Sequence, residues 1–497
     1  MNEAVAAPQP RRAWWRLDGT DLRWLLGLTL LAAVLRFGSP FFPNFLTAPG
    51  TGPPFTVWGI GHDYQDPRIP GLGQQGQIAP NSPFVFDELY FANDARDDLN
   101  GRDYLDPEPP LAKLIIALGI KLFGFNSFGW RVMPALFGTA IVPLMYLLAR
   151  QLVPIRFFAI SAGILTSLDG MLFVESRTAV IDIFPIAFAV AAYLLFHLHL
   201  RADSPGRQRW TIVVTGLILG LGLASKWTAL AAYGTIVVLL AVLLWRGALR
   251  YDRRSLGVAI LSLGLLPGLV YGLSFTHYLT VHHSLDGFSQ PALALSPFHL
   301  DLGHAWQSLV NFHRWTFNYH YTLKAPHPYY SPWFSWPVLY RPVAYYYQGA
   351  GLGADHLTGQ NLVAEIFNLG NPLIWWISIP ALVTCAVLAL WRRSYPAAFI
   401  LLAFLSAWLP FSRVPRGLFL YHMLGGLPSM ILAVALVLTW VRPLRLPSRL
   451  RAVGGGTFAY AYLAAVATLF IYFYPLWTGL PLPYSTWLNH MWVPSWI

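Results

Sequence analysis

Residues 179–199 read AVIDIFPIAFAVAAYLLFHLH, and Asp182 is the one carboxylate or strongly basic side chain among them. A helix of about 20 apolar residues crosses the roughly 30 Å hydrocarbon core of a bilayer. Runs of this kind recur along the chain and predict an all-α polytopic membrane protein with about eleven spanning helices. The predicted spans are approximately residues 22–40, 129–149, 157–174, 179–199, 210–225, 227–245, 256–276, 372–391, 397–411, 418–440 and 455–475.

The composition of the chain also indicates a membrane protein. Of its 497 residues, 56% are hydrophobic and only 11% are charged, whereas soluble domains carry about 25% charged residues. This composition excludes a disordered chain, a coiled coil and an ordinary soluble enzyme. The single cysteine, Cys385, excludes an intramolecular disulfide and a cysteine-based metal cluster.

The distribution of arginine predicts how the spans are oriented. If the N-terminus is inside and the first span is not cleaved, the predicted cytoplasmic loops are rich in arginine, and the opposite loops hold most of the acids. The formal charge of +11 is then explained by topology, and no nucleic-acid partner is predicted. Residues 110–125 are apolar but short, and a crossing there would reverse every later loop. We therefore expect an interfacial helix at this segment.

The predicted spans divide the chain into five regions. An N-terminal cytoplasmic tail and the first span occupy residues 1–40, and a first outer loop with interfacial helices and an acidic motif occupies 41–128. Spans two to seven cover 129–276, and a second outer loop rich in aromatic residues and histidine covers 277–371. Spans eight to eleven and an outer tail form 372–497. Loops as long as these two are typically functional, so we expect the working surface there.

The first outer loop contains two groups of acids. Adjacent Asp87 and Glu88 suit a general base beside a carboxylate that binds a hydroxyl or a cation. Asp106 and Glu108, two candidate substrate contacts, lie in a proline-rich stretch that predicts a rigid approach to the interfacial helix. Taken alone, both groups have a simpler interpretation as acids at helix starts, which the helix dipole stabilises.

Basic side chains close to the spans are candidates for an anion site. Arg177 suits the oxygens of a lipid-linked phosphate, or it pairs internally with Glu175 or Asp182. Lys226 presents a similar choice, because a lysine near a span end also extends to the interface without any ligand.

The second outer loop and the helix end after it add further candidates. Residues 314–347 are crowded with Trp and Tyr, which anchor at an interface or form a wall for a sugar or a prenyl chain. His320, His327, Arg341 and Arg416 are candidate substrate contacts. No zinc-type ligand spacing is present, so no cofactor is predicted and a divalent metal has no support from the sequence. No phosphate-binding glycine loop is present either, so a nucleotide-driven mechanism has no support. An active site outside the membrane would need its energy carried in the substrate.

Several of these segments together resemble the protein O-mannosyltransferase family, membrane glycosyltransferases of the GT-C class. The matching segments are Asp87–Glu88, residues 106–113, Ser176–Arg177–Thr178 with Asp182, Ser225–Lys226–Trp227, residues 327–347 (HPYYSPWFSWPVLYRPVAYYY), Asn371–Pro372 with Trp375–Trp376, and Tyr421–His422. Glu108 replaces a histidine of the family pattern, and Ala112 replaces a glycine. The second outer loop has no room for the MIR domain of eukaryotic members, which favours a bacterial-type member.

The resemblance implies a GT-C fold and an inverting transfer of a sugar, expected to be mannose. The donor would be a polyprenyl-phosphate carrier, and the acceptor a Ser or Thr hydroxyl of a protein at the outer face of the bacterial plasma membrane. Asp87 would take the acceptor proton, and Glu88 would hold the acceptor or order the site. The implied phosphate contacts are Arg177, Lys226 and Arg416, with Asp106 orienting them.

Two other interpretations stay open at this stage. The same chemistry could serve a lipid or envelope-glycan acceptor, since nothing in the sequence selects Ser or Thr peptides. A transporter or flippase is the second alternative, and it predicts ionisable groups near mid-membrane and repeat symmetry. The sequence leaves the oligomeric state open.

Overall fold

The computed structural model of the protein describes residues 17–37, 84–281, 283, 287–442 and 455–497. The predicted cytoplasmic tail before residue 17 and the first part of the predicted first outer loop lie outside the described residues. The described α-helices are α1 (Gly19–Phe37), α2 (Glu88–Asn100), α3 (Leu111–Phe123), α4 (Ser127–Leu152), α5 (Arg156–Ser167), α6 (Gly170–Glu175), α7 (Ile183–Leu200), α8 (Pro205–Ser225), α9 (Leu230–Trp245), α10 (Arg253–Ile260), α11 (Leu266–Ser274), α12 (Leu302–Thr322), α13 (Pro372–Trp391), α14 (Tyr395–Trp408), α15 (Leu427–Val441), α16 (Gly455–Thr478) and α17 (Tyr484–Asn489).

Helices occupy every predicted span, which confirms the fold class of an all-α polytopic membrane protein. Within the described residues, eight helical segments are long and apolar enough to cross a membrane. The shorter helices α5 and α15 and the more highly charged α1 fall outside this group. The total of eleven spans therefore stays a prediction.

At one end of the bundle, the carboxylate of Asp21 joins three helices through hydrogen bonds. Asp21, in the first turn of α1, accepts hydrogen bonds from the Tyr146 hydroxyl at 2.6 Å and from Arg150 Nη2 at 3.2 Å. Arg156 Nε also donates to Asp21, at 3.1 Å. These contacts place the start of α1 beside the end of α4 and the start of α5, and we call this the basic end of the bundle.

The opposite end carries α2, α3, α6 and the segment between α11 and α13, and we call it the loop end. The helix α3 has 13 residues, which at 1.5 Å per residue is about 20 Å and too short to cross a bilayer. Lys113 lies near the start of α3, and its Nζ donates a hydrogen bond to Asp106 Oδ1 at 2.6 Å. Its Gly119 packs against the first turn of α4, where an added Cβ would lie 2.4 Å from the Gly129 carbonyl oxygen. Both halves of α3 therefore lie at the loop end.

Short strands, which the sequence analysis did not predict, brace the loop end. β1 (Leu293–Leu295) and β2 (Phe298–Leu300) form an antiparallel hairpin. β3 (Val343–Gln348), β4 (Leu362–Asn368) and β5 (Leu482–Pro483) form an antiparallel sheet in the order β3-β4-β5. The central strand β4 is buried along most of its length and packs on α6 and α16. The sheet thus attaches the second predicted outer loop to the helical bundle.

Candidate functional site

Asp87 immediately precedes α2 at the loop end. Its backbone carbonyl accepts hydrogen bonds from the N–H groups of Tyr90 and Phe91 at 3.0 and 3.1 Å, so the first turn of α2 fixes its position. Burial raises the pKa of the Asp87 carboxyl to about 7; the charge on Lys226 opposes this rise, and neighbouring carboxylates add to it. A carboxyl with a pKa near neutrality is suited to act as a general base.

Lys226 connects three separate segments of the chain beside Asp87. Its Nζ lies 2.9 Å from both carboxylate oxygens of Asp182 and 3.6 Å from Glu108 Oε1. Lys226 follows the last residue of α8, Asp182 precedes α7, and Glu108 lies in the proline-rich stretch before α3. The charges on Lys226, Asp182 and Glu108 all act on the pKa of Asp87, so these four side chains form one group.

Arg416 and His320 complete this group. Arg416 Nη1 donates to His320 Nδ1 at 2.8 Å. Burial lowers the pKa of His320 to about 4, and the charges on Arg416 and Lys226 lower it as well, so the ring is neutral at pH 7 and accepts this bond. The charge on Arg416 also acts to lower the pKa of Glu108, against the rise that burial causes. We call the following residues the charged cluster: Asp87, Asp106, Glu108, Asp182, Lys226, His320 and Arg416.

Asp106 holds the proline-rich stretch in shape. Its Oδ1 accepts hydrogen bonds from Lys113 Nζ at 2.6 Å and from the backbone N–H of Glu108 at 2.9 Å. Lys113 Nζ also lies 4.8 Å from the centre of the Tyr104 ring. Asp106 therefore fixes the turn that presents Glu108 to Lys226, while its own Oδ1 is engaged by protein donors.

Glu88 is fully buried, and protein donors occupy its carboxylate. Arg131 Nε and Nη2 donate to Oε1 and Oε2, each at 2.7 Å. The backbone N–H groups of Ala179 and Val85 donate at 2.7 and 2.9 Å. These four donors leave Glu88 no capacity to hold an acceptor hydroxyl, which corrects that part of the expectation, and they make it an anchor for the start of α2. Sequence reasoning missed Arg131, although an arginine inside a predicted span is a signal for a buried partner.

Comparisons with known proteins identify the family of the chain. Residues 77–282 match the family model described as dolichyl-phosphate-mannose-protein mannosyltransferase, and residues 305–496 match that of the C-terminal four-transmembrane region of protein O-mannosyltransferase. A polyprenol-phosphate-mannose–protein mannosyltransferase of Mycolicibacterium smegmatis is 30% identical over 461 residues, which cover 83% of this chain and 87% of that protein. The chain belongs to the protein O-mannosyltransferase family.

Solved structures show the same fold. The S. cerevisiae protein O-mannosyltransferase Pmt1–Pmt2 complex bound to the sugar donor superimposes with a TM-score of 0.74 at 16% identity, covering 99% of this chain and 95% of that chain. ArnT from Cupriavidus metallidurans in the apo state gives a TM-score of 0.52 at 13% identity, over 93% and 73% of the two chains. The predicted GT-C-type fold is thereby confirmed.

Arg177 has a different environment in this mannosyltransferase-family protein from the one the sequence suggested. Its guanidinium carbon lies 4.9 Å from the centre of the Phe173 ring, and its side chain hydrogen-bonds to Tyr474. Arg177 and Arg131 line a recess of about 10 Å³, which has room for about one water molecule and not for a phosphate. The expected phosphate contact at Arg177 is therefore not supported, because this buried pocket, and not the charged cluster, surrounds the side chain.

Two residues of the second outer loop also lie apart from the charged cluster. Arg341 donates to the carbonyl oxygens of Pro328, Ser495 and Ile497 at 3.1, 2.6 and 2.8 Å. It thus links two segments of backbone, which corrects its assignment as a substrate contact. His327 is exposed, and its ring packs edge-on against Phe419 with centroids 4.9 Å apart.

The structure also assigns a partner to Asp182 that the sequence had left open. Asp182 pairs with Lys226 and not with Arg177. Among the described residues, no group of three or more His, Cys, Asp or Glu side chains is placed to hold a metal ion. The strongly basic side chains of the charged cluster are Lys226 and Arg416.

Proposed function

We propose that the protein transfers mannose from a polyprenyl-phosphate carrier to a Ser or Thr hydroxyl of a protein acceptor. Membership of the family and the names of its relatives support this donor and acceptor. The observation that carries the proposal is a carboxyl with a pKa near 7, Asp87, grouped with the cations Lys226 and Arg416. A base and a cationic site for a leaving phosphate are the two elements that such a transfer requires.

In the proposed reaction, the acceptor oxygen attacks the anomeric carbon of the sugar. Asp87 takes the proton of the hydroxyl as the new carbon–oxygen bond forms. The bond from the anomeric carbon to the phosphate oxygen breaks, and the polyprenyl phosphate leaves with the electron pair. Attack from the side opposite the phosphate inverts the anomeric carbon. Because the donor already carries an activated sugar, no nucleotide takes part.

Lys226 and Arg416 bind the phosphate of the donor in this proposal. Negative charge grows on the phosphate as its bond to the sugar breaks, so cations fixed in place stabilise the transition state more than the ground state. His320 supports this role because it accepts a hydrogen bond from Arg416 and so orients the guanidinium. Asp182 and Glu108 balance the charge of Lys226 before the donor binds.

We further propose that the charged cluster faces the outer side of a bacterial plasma membrane. The cluster lies at the loop end, whereas Arg150 and Arg156 lie at the opposite, basic end. Arginine-rich ends of membrane spans face the cytoplasm. Relatives in Mycolicibacterium smegmatis and Corynebacterium glutamicum support a bacterial membrane.

The full-length chain, purified in detergent, tests this function with labelled polyprenyl-phosphate-mannose and with peptide and lipid acceptors offered side by side. Asp87→Asn is expected to lower transfer to the peptide by about 10²–10⁴-fold, the usual contribution of a general base. Asp203→Asn is the matched control, since Asp203 is an exposed acid that pairs with Arg207 four residues on. We expect transfer to persist in EDTA.

Three outcomes contradict parts of the proposal. Near-normal turnover in Asp87→Asn removes Asp87 as the base. Labelling of the lipid alone replaces the protein acceptor by the lipid alternative. Movement of the donor across a vesicle membrane without any transfer supports a flippase, an alternative that membership of a transferase family does not favour.

A further inference from the structure

The residue before Asp87 has an unusual backbone conformation. Phe86 has a φ of +51°, a left-handed conformation that bulky residues rarely adopt. Such a conformation persists only where the surrounding structure holds it in place. The packing around Phe86 therefore bears directly on where the Asp87 carboxylate points.

Two aromatic rings hold Phe86. The Phe86 ring stacks on Tyr345 with centroids 4.2 Å apart and an interplanar angle of 8°. The Tyr421 ring meets Phe86 edge-on at 6.0 Å. Tyr345 belongs to β3, and its side chain is only 4% exposed. The ring that covers Phe86 is thus supplied by the second predicted outer loop, more than 250 positions along the chain from Phe86.

The Tyr345 ring is itself held by a buried carboxyl. Its hydroxyl donates to Glu175 Oε1 at 2.5 Å, and Asn368 Nδ2 donates to the same oxygen at 2.7 Å. Glu175, the last residue of α6, is fully buried. Asn368 ends β4, and it pairs with Val343 at the start of β3. A continuous set of contacts therefore runs from the sheet and α6 to the residue beside Asp87.

We propose that Tyr345 is a positioning residue for the transfer reaction: its stacked ring holds Phe86, and thereby Asp87, in the orientation in which the carboxylate accepts the proton. Glu175 and Asn368 hold the ring at its hydroxyl end. This inference rests on the proposed function, in which Asp87 is the base. Tyr345 acts through Phe86 and has no chemical step of its own.

The physical effect of losing the ring is misalignment of the base. A displacement of about 1 Å in a catalytic group can lower a rate by about 10²-fold while substrate binding is little changed. We expect loss of the ring to loosen Phe86 and thereby to let water reach Asp87. Since burial is the main cause of the raised pKa of Asp87, the better hydrated carboxyl would titrate at lower pH.

The test compares variants of the full-length protein by their kcat, donor KM, pH profile and thermal unfolding. Tyr345→Ala is expected to lower kcat by roughly 30- to 100-fold while the donor KM changes by less than about threefold. The fall in rate at acid pH should begin at a lower pH in this variant. Tyr345→Phe keeps the stacked ring and is expected to retain kcat within about tenfold. Tyr347→Ala is the matched control, because Tyr347 lies on the same strand and is 51% exposed; its kcat should be unchanged.

A folded Tyr345→Ala protein with kcat and pH profile like those of the control overturns the inference. If that variant does not fold, Phe86→Gly is the test, because glycine keeps the left-handed backbone but lacks the ring. A fall in kcat then supports the positioning role, and an unchanged kcat overturns the inference. Failure of the proposed function is distinguishable, since an active Asp87→Asn protein removes the base itself, whatever Tyr345 does.

Discussion

The pH dependence of transfer is a direct consequence of the environment of Asp87. Its pKa is raised to about 7, and only the ionised carboxylate can accept the acceptor proton. About nine-tenths of the sites are ionised at pH 8 and about one-tenth at pH 6. We therefore expect kcat/KM to rise through pH 7 and to fall about tenfold for each unit below it.

Lys226→Gln tests whether Asp87 is the group that titrates, because the charge on Lys226 lowers the pKa of Asp87. Without that charge, the pKa should rise and the acid limb should move to higher pH by roughly one unit. The assay is initial-rate transfer from labelled polyprenyl-phosphate-mannose to a peptide between pH 5.5 and 8.5, with each profile normalised to its plateau. Lys121→Gln is the control, since Lys121 is exposed near the end of α3.

Two results would refute this reasoning about the base. One is a profile that is flat from pH 5.5 to 8.5 in the unmodified protein, because no group with a pKa near 7 would then control the rate. The other is a midpoint in Lys226→Gln that equals that of Lys121→Gln or lies below it. Either result would separate Asp87 from the proton transfer or from the charge of Lys226.

Two further predictions concern Glu88 and Arg416. Glu88→Ala leaves Arg131 buried without its carboxylate, so the free energy of unfolding should fall by about 3–5 kcal/mol. Asp203→Asn, measured alongside by denaturant unfolding, should change this free energy by less than about 1 kcal/mol. Equal effects of the two substitutions would contradict the anchoring role of Glu88. Arg416→Gln should raise the donor KM by about tenfold or more while the acceptor KM stays nearly constant. The exposed Arg413→Gln is its control, and an increase confined to the acceptor KM would count against phosphate binding.

The sequence alone predicted the apolar helices of the bundle. Inside a bilayer no water satisfies backbone N–H and C=O groups, so an apolar run of about 20 residues has few structures other than a helix. Residues 179–199 therefore predicted α7 to within a few residues. The sequence also predicted which loops are rich in arginine and which in acids, because the charges of a loop can be counted once the spans that bound it are assigned.

Tertiary structure alone decided which charged side chains act together. Asp87 and Glu88 are neighbours in sequence, yet Asp87 belongs to the charged cluster and Glu88 binds Arg131, 43 residues away. Lys226 pairs with Asp182, which lies 44 residues earlier in the chain. A buried charge needs an opposite charge or a hydrogen-bond donor wherever the folded chain brings one close. Because these partners come from segments far apart in sequence, no local pattern could have paired Glu88 with Arg131 or Lys226 with Asp182.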